Sequence, residues 1–167
     1  MNFETITGYF YKLFNICYLI VLAPMGIFIF LYVQFNSGEI LPLITDDQMV
    51  LTLQLGLAVM GIVDLVTMHA IQKKRIKKIA SRQGLRNKME EYSLVAILRI
   101  AAGAVACLVM AAGFWLTNSE WFTVFLMLIL VWLGFQWPTP RKMSNDLKLK
   151  GDEKDVILYK RDLLRNQ

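Results

Sequence analysis

The chain has 167 residues, is 56% hydrophobic and carries a formal net charge of +5, with a mean hydropathy of +0.47. That length suits a single soluble domain, but a soluble domain does not normally hold four separate apolar runs of near-membrane length. The positive charge is concentrated beside those runs, which points to membrane topology rather than nucleic-acid binding. Cys17 and Cys107 both lie inside apolar runs and give neither a disulfide framework nor metal-ligand spacing.

In residues 1–12, Phe3, Ile6, Phe10 and Tyr11 recur near helical spacing, predicting a short interfacial helix that leads into the first span. The apolar run 13–35 is longer than a signal-peptide core and has no clean small-x-small cleavage site, so it is expected to be a retained span. Asn15 and Tyr18 share a face near its start, and Pro24 with Gly26 predicts a kink. The connection 36–48 carries Glu39, Asp46 and Asp47 and no base. One of the two aspartates is expected to cap the next helix, because a carboxylate satisfies free amides at a helix N-terminus.

The second span, 49–71, places Gln54, Leu57, Gly61, Asp64 and Met68 on one helical stripe. A carboxylate at depth is costly toward lipid, so Asp64 is expected to face another helix or a wet site. His69 lies near the end of the run and has no second histidine to form a metal or haem pair, which points to an interface role. From 72 to 92 follows a basic hairpin with Lys73, Lys74, Arg75, Lys77, Lys78, Arg82, Arg86 and Lys88 against Glu90 and Glu91. This excess assigns the hairpin to the cytoplasm, with anionic lipid headgroups as its expected neighbours. It lacks stacking aromatics, so no nucleic acid is expected. The second helix is expected to continue past the membrane, with Gly84 at the turn.

The third span, 92–117, carries Ala96, Arg99, Gly103, Ala106, Met110 and Gly113 on one stripe, a surface suited to close helix packing. The connection 118–120 is short enough to make the third and fourth spans adjacent and antiparallel. The fourth, 121–137, is bracketed by Trp121 and Trp137 and is the expected lipid-contact helix. Pro138 and Pro140 stop it. In the tail, Gly151 and Asp152 resemble a helix start, with Val156, Tyr159 and Leu163 as an apolar edge. So short a helix needs a surface to dock on: the basic hairpin, the membrane or a partner.

The expected fold is all-α: a polytopic membrane protein with a four-transmembrane-helix bundle over 1–137, both termini cytoplasmic, and a cytoplasmic tail over 138–167. The expected location is the cytoplasmic (inner) membrane. Asp64 lies nine residues before Lys73, and Arg99 eight after Glu91. At about 1.5 Å per residue each sits roughly 12–14 Å inside its charged boundary, so a buried Asp64–Arg99 pair near midplane is expected, joined by carboxylate–guanidinium contact. In one view that pair is structural glue in a small accessory subunit of a larger membrane assembly, with a homo-oligomer or other membrane subunits as partners. In the other, Asp64 and Arg99 serve a proton- or ion-coupled transporter or channel that works as an oligomer, with Asn15, Gln54 and His69 as polar lining. The sequence has no Gly-rich phosphate loop, CxxC or serine–histidine–acid set, so no enzyme, metal or cofactor is indicated.

Overall fold

The computed structural model describes residues 5–159, and among them the regular secondary structure is helical throughout. The helices are α1 (Ile6–Asn36), α2 (Asp47–Ala80), α3 (Leu85–Thr117), α4 (Glu120–Phe135), α5 (Pro140–Asp146) and α6 (Asp152–Leu158). Three of them, α1, α2 and α3, are long and apolar enough to cross a membrane. At 16 residues, α4 is about 24 Å long, short of the roughly 30 Å hydrocarbon thickness. It meets the span criterion only together with α5, from which it is bent by 74°.

Local chemistry sets these boundaries. Oγ1 of Thr5 accepts from the Gly8 amide and caps α1, which then runs as one helix from the interfacial residues through Pro24 to Asn36. Of the two candidate caps for α2, Asp46 serves: its Oδ2 accepts from the Met49 amide at 3.0 Å. The four-residue turn after α2 is made by Gly84 at φ 86°, a conformation that glycine adopts without a Cβ penalty. The turn after α3 uses Asn118 at φ 51°. Pro140 sits in the first turn of α5, and the Thr139 side chain accepts from the Lys142 amide.

The helices are arranged around α3. Helices α1, α2 and α4 each pack on it, whereas α2 and α4 touch only lightly. Small residues allow the closeness: Gly103 abuts the Leu133 side chain and Gly113 abuts the Phe122 ring, and an added Cβ at either glycine would collide with that partner. On the other side, Phe28, Tyr32 and Phe35 of α1 surround Phe114, with ring centroids 5.0, 5.9 and 5.4 Å away. Phe122, Leu126, Ile129 and Leu133 of α4 are buried, Phe125, Leu130 and Trp132 are partly buried against the core, and the opposite face of that helix is exposed. The least covered long helix is α2 rather than α4, because α2 meets the others along a single seam.

Three contacts fix the α2–α3 register: Arg82–Glu91 at 2.6 Å, Arg99–Gln72 at 2.8 Å, and Gly61 lying against the Met110 methyl. Since α2 ends at Ala80 and Glu91 is paired just beyond that end, the first turns of α3 project past α2.

The tail folds back onto the projecting end of α3. Lys88 Nζ meets Glu153 Oε2 at 2.8 Å, and the Tyr92 hydroxyl donates to Asp146 Oδ2 at 3.2 Å. Met143, Leu147, Leu149, Val156 and Ile157 are buried there. The inward edge of α6 is therefore Val156 and Ile157. Tyr159, expected on that edge, is 70% exposed, and Leu163 lies outside the described residues. The start of α1 gathers at the same end, where the Tyr9 hydroxyl donates to the Met89 carbonyl at 2.8 Å.

Candidate functional site

Arg99 is buried, yet it does not meet Asp64. Its Nε donates to Gln72 Oε1 at 2.8 Å, and its Nη1 lies 3.4 Å from Asp146 Oδ2. The expected Asp64–Arg99 pair is thus replaced by an Arg99–Gln72–Asp146 cluster. The reason is register. Equal depths for Asp64 and Arg99 require Lys73 on α2 and Glu91 on α3 to be level, and those two residues are not. Glu91 stands opposite the turn after α2, so Arg99 is level with Gln72, beside the basic boundary. Asp64 is eight residues, about 12 Å, further along α2.

Asp64 is half-buried, and its Oδ2 is buried without a hydrogen-bond partner. The other polar positions on the expected lining are dispersed. Gln54 donates through Nε2 to the Ser119 hydroxyl at 2.6 Å, tying α2 to the α3–α4 turn at the far end of the molecule. Asn15 is exposed on α1. Neither joins Arg99.

His69 does reach the neighbourhood of Arg99. A cavity of about 310 Å3 opens where α2, α3 and the α4–α5 bend converge. Its wall carries His69, Lys73 and Lys77 from α2, Arg99 from α3, and Lys142 and Lys148 from the tail. Asp146 is the one carboxylate in that wall, against four lysines and one arginine. Arg99 and Asp146 face each other within it. Lys142 Nζ donates to the Phe135 carbonyl at 2.7 Å and to Gln136 Oε1 at 2.9 Å. Burial lowers the Lys142 ammonium below the usual lysine value; the Arg99 charge adds to the shift and Asp146 opposes it.

The eight bases of the hairpin divide by what they touch. Arg82 pairs with Glu91, Arg86 approaches Glu90 at 4.0 Å, and Lys88 pairs with Glu153. Lys73, Lys74, Arg75, Lys77 and Lys78 are all exposed on α2, and of these Lys73 and Lys77 border the cavity. Sequence reasoning missed Gln72, Lys142, Asp146 and Lys148. The available signal was the Pro138–Pro140 break, which turns the mixed-charge tail back toward the hairpin. Gln72 is also the first polar residue after the second apolar run.

A narrower cleft of about 250 Å3 lies along the same α2–α4 seam, further from the basic end. It is lined by Gly61 and Leu65 of α2, Met110 of α3, and Phe125, Ile129 and Trp132 of α4. A broader concavity running from Asp46 to Met60 is walled by α2 and its cap alone. Among the described residues no group of histidine, cysteine, aspartate and glutamate side chains is arranged to hold a metal ion. No protein-family model, curated protein or solved structure matches this chain.

Proposed function

We propose that this chain is a small, non-enzymatic integral subunit of a larger assembly in the cytoplasmic (inner) membrane. It crosses four times, with α4 as the short fourth crossing and both termini on the cytoplasmic side. The observation that carries this proposal is the arrangement of helices around α3. Close-packed Gly, Ala and aromatic contacts fill the axis that a path through one chain would need, while α1 and α2 turn long apolar faces outward. The orientation is supported by the acidic, base-free connection at one end and the basic hairpin at the other.

The test is purification of the full chain in mild detergent, followed by reconstitution in sealed vesicles. A protein mass above the 19.2 kDa of one chain, from a second copy or a stoichiometric subunit, together with no proton or cation flux, is the expected result. The buried, unpartnered Oδ2 of Asp64 favours a second function, ion- or proton-coupled transport by an oligomer. Flux through the wild-type chain that disappears in Asp64→Asn would establish transport in place of the accessory role.

A further inference from the structure

We infer that the cavity between α2, α3 and the α4–α5 bend, together with the apolar cleft beside it, is a binding site for one anionic phospholipid. The phosphate would sit among Lys73, Lys77, Arg99, Lys142 and Lys148, and an acyl chain would lie in the α2–α4 cleft. This inference rests on the proposed membrane orientation but not on the accessory role.

Charge comes first. Four lysines and one arginine border a space of about 310 Å3 that holds one carboxylate; Lys73, Lys77 and Lys148 are exposed at its edge and Arg99 is buried in its wall, a net positive charge that attracts an anion. Arg99 is the anchor. Its side chain is nearly buried, at 7% exposure, and Gln72 and Asp146 engage only Nε and Nη1, so Nη2 is left to donate. A guanidinium with a free edge suits a phosphate oxygen.

Adjacency separates a lipid from a free phosphate. On α2 the cleft ends at Leu65 and the cavity begins at His69; on α4 the cleft ends at Trp132, and the cavity begins at Gln136, the residue that follows the helix. Each step is four residues, about 6 Å along a helix axis. The basic cavity and the apolar cleft therefore lie about one helical turn apart, with the cleft on the side away from the basic end. Both lie along the seam where α2 and α4 touch only lightly. A headgroup with its attached chain matches that order of polar and apolar walls, and basic pockets between membrane helices suit such headgroups.

The test uses the full chain in a neutral detergent, titrated with phosphatidylglycerol and with phosphatidylcholine, with bound lipid read by native mass spectrometry. Lys73→Gln with Lys77→Gln removes two wall charges. Lys74→Gln with Lys78→Gln removes the same charge from the same helix one residue further round, outside the cavity. Saturable binding of phosphatidylglycerol over phosphatidylcholine is expected. The first pair should weaken it about 25-fold, from roughly a factor of five per lysine, and the second by less than about threefold. Millimolar inorganic phosphate should not displace the lipid.

Equal weakening by both pairs would mean diffuse attraction and overturn the site. Full displacement by inorganic phosphate would identify a free anion as the ligand and overturn the lipid assignment. Alkaline extraction of membranes tests the parent proposal separately. A chain that washes off would remove the membrane orientation, whereas a retained chain with no saturable lipid binding would remove only this inference.

Discussion

Arg99 and Gln72 meet across the α2–α3 seam, with the arginine Nε donating to the glutamine Oε1 at 2.8 Å and both side chains buried. This contact locates the arginine at the basic end of the helices instead of at midplane. It also assigns Asp146, from the tail, the role that Asp64 was expected to play. The stability consequences follow from who touches whom.

Arg99→Leu and Asp146→Ala should be coupled. Asp146→Ala alone leaves a nearly buried guanidinium without its carboxylate, at a cost of about 1–3 kcal/mol. With Arg99→Leu already present, the loss from Asp146→Ala should be smaller by about 1 kcal/mol. Asp64→Ala and Arg99→Leu, whose side chains do not meet, should add within about 0.5 kcal/mol. Unfolding midpoints in detergent for the two cycles measure this, and strong Asp64–Arg99 coupling would contradict the observed register.

Asp64→Leu should leave the isolated chain as stable as before or more so. The carboxylate holds a buried oxygen without a partner, and an apolar side chain of similar size relieves that cost, on the order of 1–3 kcal/mol. A fall in midpoint of several degrees in the purified chain would reveal a partner for Asp64 that this arrangement lacks.

Gly103→Ala should destabilise the α3–α4 contact by about 1–3 kcal/mol, because the new methyl group meets Leu133. Combining it with Leu133→Ala should recover part of the loss, since the shortened partner vacates the space. Gly26→Ala, where nothing lies within 4 Å, is the control and should be neutral or slightly stabilising. If both glycine substitutions behave alike, close packing is not what holds α4 to α3.

Topology is checked by thiol accessibility. Ser37→Cys and Ser81→Cys introduce exposed thiols at opposite ends, while the native Cys17 and Cys107 are buried. An impermeant maleimide should label position 37 from the outer side of intact cells and position 81 only after the membrane is opened. The reverse pattern would invert the proposed orientation.

At the end away from the basic hairpin, Gln54→Ala should cost about 1 kcal/mol by removing the hydrogen bond to Ser119. It should not alter phospholipid binding at the basic end. A change in lipid affinity would mean that the two ends of α2 are linked in a way their contacts do not explain.

The existence and approximate length of α1, α2 and α3 were determined by the sequence alone. Long apolar segments satisfy their backbone groups internally as helices, whatever their neighbours. Local chemistry likewise marked Asp46 or Asp47 as a cap, Gly84 as a turn and Pro138 with Pro140 as a break, because each acts within a few residues of itself. Tertiary structure alone decided which charges meet. The partners of Arg99 lie 27 and 47 residues away, and reaching them depends on the register of the α2–α3 seam. That register is set by side-chain interdigitation, such as Gly61 against Met110, and by a turn that lets α3 project past α2. Residue counting from the nearest charge on each helix assumes that the two charges are level. Packing made them unequal, and the returning tail then supplied Asp146, Lys142 and Lys148 to a cavity that no single stretch of sequence contains.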